Sequence, residues 1–434
     1  MKTQVIDQIR NILQRNDIAA WTITESKSSS LELFLIREHL DMNRCTDIHE
    51  FDVRVYVDFE EGGKSYRGDA LLQLGASDSK EEMQQKIERA VFSARFVKNP
   101  WYDLPVNDPG EYIEIAEFPN LSDLKEKFDA IHRIIYKSYP YASKVNSCEI
   151  FAIEGTKRIV TSKGTDVTYP HGEFQFEIVT DSDHGVEPVE IFNGYNLTSV
   201  DLTEIERIVD KQLMETDGRS RAVRNEKLES QRVILSGDAV EEFLFFYLMH
   251  ATDSMIYQNI SRAKLGERFL SADAAESLNI RINPALTTSI HARPVDAEGK
   301  RLAAYNLYED GVVKQLRTGA QYSHYLGIPN IGSCSTFEAA GGKQSLAEFT
   351  QGDYVEIIAF SSFLMDESTG DFGGEFRLAK QVRNGETRFI TGGSISENIF
   401  RIQDSMRFSS ELEARKYSNA PKAIILDGIT VAGE

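Results

Sequence analysis

Eight histidines, three cysteines and 68 acidic residues are the raw material for chemistry in this sequence of 434 residues. A catalytic zinc takes about three protein ligands and keeps one position open for water. Helical metalloprotease motifs bring two histidines to one face, with an adjacent glutamate as general base. His-Glu occurs once, at His49-Glu50, and no second histidine closes a site after it. Glu50 also leads into a period-two strand pattern, the wrong element for such a motif. His250 ends a strongly apolar helical run that begins near Glu241 and Glu242. An imidazolium there would complement the helix dipole, and the plainer alternative is a packed or helix-end histidine. His171-Gly172 and His184-Gly185 have the character of exposed turns. His291-Ala-Arg293-Pro294 could act as a cationic clamp for a peptide carboxylate or an acidic side chain, against the simpler alternative of a strand terminus. Cys334 lies in the small-residue run Ile331-Gly-Ser-Cys-Ser-Thr336, and His324 precedes it by ten residues. A thiol nucleophile needs a histidine base, and a structural cysteine is the plainer alternative. Gly370-Asp-Phe-Gly-Gly374 lacks the lysine and the following helix of a phosphate cradle and predicts a turn between strands. No GxSxG elbow, P-loop or dinucleotide fingerprint is present.

The elements that must position these residues are legible in outline. Val5, Ile9, Ile12 and Leu13 share one helical face between Lys2 and Gln14. Phe51 to Phe59 is apolar at every odd position, so one face of that strand is buried. Gly62-Gly63 then permits a tight reversal into a partner strand from Ser65 to Leu74. Ser79 to Val97 is an amphipathic helix, as is Ser122 to Tyr139. Between them, Asn99 to Pro119 holds four prolines and predicts a loop. Short strands follow at 147–153, 157–162, 166–169 and 173–180, with a turn at Ser162-Lys-Gly-Thr165, and a polar helix runs from Asp201 to about Ser230. Arg232 to Leu235 is a short strand. Asp238 with Glu241 three residues later suggests a capping box for the helix that follows. Phe243 to Met249 is apolar all round, which predicts a helix buried on every side. Beyond it turn signals recur about every ten residues, the strongest being Asn384-Gly385 between two alternating runs. The expected class is α+β: an N-terminal α/β domain plus a C-terminal domain of extensive antiparallel sheet with a buried helix. The expected divisions are 1–110, an N-terminal domain of helix, strand hairpin and helix; 111–225, a middle region with a connector helix; and 226–434, the C-terminal domain.

Composition narrows the function classes. The net charge is −20, from 48 basic and 68 acidic residues. That balance argues against constitutive binding of nucleic acid or an anionic membrane, which needs a concentrated basic surface. Cys45, Cys148 and Cys334 are odd in number and far apart, giving neither a disulfide framework nor a thiolate zinc knuckle. With no signal-like or membrane-spanning apolar run, the expectation is a cytoplasmic protein.

Several segments of the C-terminal half, taken in order, resemble the TldD/PmbA family, the TldD/TldE peptidases once called modulators of DNA gyrase. They are Val233-Ile-Leu-Ser-Gly-Asp-Ala-Val240 with the apolar helix after it, Ser261-Arg-Ala-Lys-Leu-Gly266, Asp296-Ala-Glu-Gly299, Tyr308-Glu-Asp-Gly-Val-Val-Lys-Gln-Leu316, Tyr325-Leu-Gly327, Gly370-Asp-Phe372, Gly393-Ser-Ile-Ser-Glu-Asn398, and Pro421 with Leu426-Asp-Gly-Ile-Thr-Val-Ala-Gly433. TldD-type members carry His-Glu-x-x-x-His in the helix after the opening strand and a cysteine ligand shortly before the terminal segment. Here the helix reads Ala239-Val-Glu-Glu-Phe-Leu-Phe-Phe-Tyr-Leu-Met-His250, and no cysteine lies between Gly393 and Pro421. The resemblance is therefore to the TldE/PmbA branch. It implies a metal-free subunit, with zinc in a TldD-type partner, and a complex that degrades or trims small unstructured peptides. A homo- or heterodimer is expected, with no nucleic acid or membrane as partner. The alternatives are a self-sufficient peptidase built from His250, Glu241, Glu242, Cys334 and His324, and a non-enzymatic modulator of DNA gyrase or toxin systems.

Overall fold

A computed structural model of the chain describes residues 5–118 and 121–433. Lys2, expected at the start of the first helix, and Pro119, expected in the proline-rich loop, lie outside the described residues.

Seven strands form one antiparallel sheet: β1 (Ala20–Ile36), β2 (His39–Glu61), β3 (Lys64–Gly75), β4 (Asn99–Pro100), β5 (Lys144–Thr161), β6 (Asp166–Ser182) and β7 (Val189–Leu197). Their order is β4-β3-β2-β1-β5-β6-β7, so strands from either side of residue 110 share it. The hairpin expected at Gly62-Gly63 is present, with both glycines at positive φ and Glu61 paired with Lys64. Side chains two residues apart along a strand share a face. Ile23 of β1 therefore points the same way as Leu31, Leu33 and Leu35. That face is covered at one end by α1 (Val5–Leu13) and α2 (Lys80–Ala94) and at the other by α3 (Leu121–Tyr136) and α4 (Leu202–Ser220). The opposite face is free of these helices. There Ser26 of β1 pairs with Lys157 of β5, and Lys157 pairs with Tyr169 of β6. The segment around Ala292 and Val295 packs on this face, against Ile159, Val167 and Tyr169.

The C-terminal half is built around one helix. After β8 (Val223–Arg224) and β9 (Leu228–Ser236), α5 spans Asp238–His250. Phe243, Leu244, Phe246, Tyr247 and Leu248 are fully buried, while Phe245 and Met249 are half-buried, so the helix is not enclosed on every side as expected. The expected capping box does not form. Gly237 is the N-cap, at φ +67° and without a side-chain bond, and Glu241 is drawn elsewhere. After α6 (Asp253–Tyr257), the strands β10 (Ile280–Ile282), β11 (Tyr305–Glu309), β12 (Val312–Val313) and β13 (Phe337–Ala339) join two later ones, β19 (Leu412–Ala414) and β20 (Ser418–Pro421), in a second sheet. The third sheet holds β14 (Tyr354–Met365), β15 (Asp371–Arg383), β16 (Glu386–Thr391), β17 (Gly393–Asn398), β18 (Arg407–Phe408) and β21 (Ala423–Ala432), with β8 and β9. In it β14 pairs with both β9 and β15, which closes a ring of five strands through β21 and β17. The Asn384-Gly385 hairpin links β15 to β16 as expected. Among the described residues no helix is long and apolar enough to cross a membrane.

Candidate functional site

Two clefts lie where the N-terminal half meets the C-terminal half, the larger beside α4 and the smaller on the helix-free face of the first sheet. The larger, about 670 Å³, is walled by Asp238, Glu241, Glu242 and Phe245 on one side and by Arg207 and Lys211 of α4 on the other. Glu241 sits one turn into α5, where it reaches the chain entering β20. Its carboxylate accepts from the Tyr417 amide at 2.9 Å and the Ser418 hydroxyl at 2.6 Å. Burial raises its proton affinity, while those two bonds and Arg415 oppose the rise. Glu242 is raised by burial and by the neighbouring Asp238 and Glu241 carboxylates.

Charges of both signs line the larger cleft, whereas the smaller, about 270 Å³, is lined by basic groups and no acidic one. Lys157, His171, His291 and Arg293 converge on it, with Tyr169 and Tyr417 as apolar walls. Lys157 and His171 come from adjacent strands of the first sheet, and His291 and Arg293 from the loop packed on it. Arg293 donates to the Ser333 carbonyl at 3.0 Å. Burial, then Lys157, then His291 push the His171 imidazole down to about 4. His291 is likewise pushed down to about 4 by burial and by Lys416, Arg293 and Lys157. Lys157 is lowered by burial and by Arg293. Tyr417 borders both clefts, and His291 stacks on it.

The residues singled out from the sequence separate into two groups. Glu241 and Glu242 line the larger cleft, and His291 and Arg293 the smaller. His250, Cys334 and His324 line neither. His250 is buried among Phe246, Phe269 and Phe400. Its Nδ1 accepts from the Arg262 amide at 3.1 Å, and its Nε2 is buried without a hydrogen bond. Cys334 is 1% exposed, with its thiol against the Thr336 hydroxyl. His324 stands apart, packed on Trp101, its Nδ1 accepting from the Asp103 amide. No hydrogen bond joins these two side chains among the described residues. His49 pairs across strands with Glu25 at 2.9 Å.

Sequence reasoning missed Lys157, and it placed His171 in an exposed turn. His171 lies within β6, and its chain neighbour Gly172 serves close packing of strands rather than a turn, since a Cβ there would meet the Ile153 carbonyl at 2.3 Å. It also assigned no role to Asp296 and Arg317, which shape the loop bordering the pocket. Asp296 accepts from the Glu298, Lys300 and Ser333 amides. Arg317, 6% exposed, donates to the Cys334 carbonyl at 2.8 Å.

Residues 229–433 match the family described as the PmbA/TldA metallopeptidase C-terminal domain. The C-terminal half is a PmbA/TldD-family domain. Solved structures similar to the chain span nearly its whole length. TldE from Thermococcus kodakarensis is 18% identical over 99% of this chain and 100% of its own, with a TM-score of 0.75. A proposed modulator of DNA gyrase from Bacteroides thetaiotaomicron is 14% identical over 99% and 98%, with a TM-score of 0.76. Another, from Thermotoga maritima, is 15% identical over 99% of each chain, with a TM-score of 0.73. At these identities the likeness establishes a shared fold. No curated protein is detectably similar in sequence.

In this PmbA/TldD domain the zinc motif can be set on α5 by its own spacing. With His250 as the last residue of His-Glu-x-x-x-His, the first two positions fall on Phe245 and Phe246. Phe245 packs edge-on against Phe337 and Tyr417, and Phe246 covers His250. Phenyl rings donate no lone pair to a cation. Among the described residues no three His, Cys, Asp or Glu side chains are grouped to hold a metal ion. The donor set on α5 therefore does not fit the family's zinc.

Proposed function

We propose that this chain is the TldE/PmbA-type, non-catalytic subunit of a cytoplasmic two-subunit metallopeptidase that degrades or trims small unstructured peptides, the zinc chemistry coming from a TldD-type partner. One observation carries the proposal: Phe245 and Phe246 stand where the motif would put its first histidine and its glutamate, and His250 is closed behind phenyl rings. The family match supplies the peptidase context. In this division of labour the chain contributes walls and charged groups of a shared chamber, among them the two clefts at the seam of its halves. Metal binding, water activation and general-base work belong to the partner.

The test is reconstitution. This chain and a TldD-type protein are purified separately and mixed with an unstructured peptide. Cleavage by the mixture, and by neither protein alone, is the expected result. Stoichiometric zinc in this chain, together with cleavage by it alone, would overturn the proposal.

A further inference from the structure

We propose that the seam pocket of Lys157, His171, His291 and Arg293 captures the terminal carboxylate of a short peptide. This deepens the peptide-processing reading and rests on it for the class of ligand.

Four basic side chains from two parts of the fold converge on one small cavity, and none of the residues lining it is acidic. Neither Lys157, Arg293 nor the nearby Lys416 makes an ion pair among the described residues. Glu50, Asp52 and Glu173 act on Lys157 only from outside the cavity. Asp296 acts on Arg293, and Glu173 on Lys157 and Lys416, also from outside the cavity. Partly buried positive charge with no counter-charge inside the cavity is unfavourable, and the imidazoles register it. His171 and His291 are both held down to about 4, by burial first and then by their cationic neighbours. The His291 Nε2 is buried and has no hydrogen-bond partner. A carboxylate in the cavity answers each of these features. It accepts from Arg293, Lys157 and the Nε2–H tautomer of His291 in charge-assisted bonds, with the Ser335 hydroxyl at the rim.

The walls favour a peptide end over a bare inorganic anion. The cavity surface is mainly polar, and Tyr169, Ile290, Ala292 and Tyr417 add a smaller apolar side that a terminal residue would cover and phosphate would leave unused. At about 270 Å³ the cavity suits the end of a peptide rather than its length. Binding is linked to protons. An anion raises the proton affinity of both imidazoles, so affinity increases as pH falls from 7.5 toward 5.5. Glu173, itself raised by burial, moves in the same direction by losing charge. A peptide carboxylate remains ionised throughout that range.

The experiment is calorimetric titration of the full chain with N-acetyl-Ala-Ala-Phe, with its C-terminal amide, and with inorganic phosphate. The free acid is expected to bind at least tenfold more tightly than the amide and more tightly than phosphate, and to tighten at pH 5.5. Arg293→Gln should abolish the preference for acid over amide. Because Arg293 also holds the Ser333 carbonyl, Lys157→Met serves as a second variant, with the same expected loss. Equal binding of acid and amide, or phosphate binding more tightly than the acid, overturns the assignment. The titration needs no partner protein. Cleavage by the reconstituted mixture without a carboxylate preference here would remove the pocket's role and leave the subunit reading intact. A carboxylate preference without cleavage would do the reverse.

Discussion

His291 lies flat on Tyr417, ring centroids 4.2 Å apart and planes 11° from parallel, so that the imidazole in the smaller, basic cleft rests on a tyrosine that borders both clefts. The Tyr417 backbone is fixed by Glu241, whose carboxylate accepts a hydrogen bond from its amide. The orientation of the imidazole thus depends on a ring that α5 holds in place.

Removing that ring should free the imidazole. Tyr417→Leu is expected to move the His291 ring-proton resonances downfield as the stacking is lost, and to weaken binding of the carboxylate peptide severalfold. Tyr417→Phe, which keeps the ring face, should leave both unchanged. Identical His291 shifts in the leucine variant would show that the stack does not form in solution.

Glu215 on α4 makes the fold sensitive to pH. It is 5% exposed, and burial lifts its carboxyl to about 7, with Lys211 at 3.8 Å opposing the rise. The folded-state value lies above the ordinary one, so the neutral acid is the form the fold favours. Its contribution is complete below about pH 4.5 and is lost as pH rises through 7. Glu215→Gln imitates the neutral acid at every pH. The variant should match the parent at pH 4.5 and exceed it by about 1–3 kcal/mol at pH 8 in urea denaturation. A variant less stable than the parent at pH 8 would mean that the Lys211 pairing outweighs desolvation. Glu298 is also raised to about 7, but its carboxylate accepts from the Ala320 amide at 3.0 Å, so replacing it sacrifices a bond as well.

The halves of the chain meet at Gly299. Its φ is +85°, and an added Cβ would stand 2.7 Å from Thr161 Cγ2 and 3.0 Å from Thr165 Oγ1. Thr165 also donates to the Gly299 carbonyl at 3.1 Å. Gly299→Ala should cost about 2 kcal/mol or more, from backbone strain and crowding together. Thr161→Ser removes the crowded methyl but keeps the hydroxyl that accepts from the Thr165 amide. The double variant should therefore recover part of the loss, which a double-mutant cycle measures as coupling. Strict additivity would show that the Thr161 methyl is no part of the cost, leaving the backbone and Thr165.

Local signals made some elements legible and left others hidden. Paired glycines or Asn-Gly between alternating runs marked both hairpins, because positive φ has few other sources. The apolar run of α5 marked a helix buried along most of its length, with Phe245 left at a cleft. By contrast, β1 passes through Glu25-Ser-Lys-Ser-Ser-Ser30 with hardly an apolar side chain, and it is held by pairing on both edges with β2 and β5. The single strand β5 reads as two segments because Gly155 interrupts it. A Cβ at Gly155 would meet the Lys27 carbonyl at 2.0 Å, so the break in pattern is the condition for close strand packing. In the site, His291 and Arg293 stood out because only Ala292 separates them in sequence. Lys157 and His171 join them only through strand pairing and the packing of one half on the other.

His250 separates the subunit reading from that of a self-sufficient peptidase. Burial among phenyl rings, with Arg262 nearby, pushes its imidazole down to about 4. A depressed folded-state value contributes stability above about pH 6.5 that is lost as pH falls through 4. His250→Phe completes the aromatic shell but leaves the Arg262 amide without its acceptor. It should cost about 1–3 kcal/mol at pH 7, and stability should then decline less between pH 6.5 and 4.5 than in the parent. Mixed with a TldD-type protein at a temperature where both variants are folded, it should support peptide cleavage at the parental rate. Loss of cleavage in a folded His250→Phe chain would give the imidazole a chemical role that its enclosure argues against.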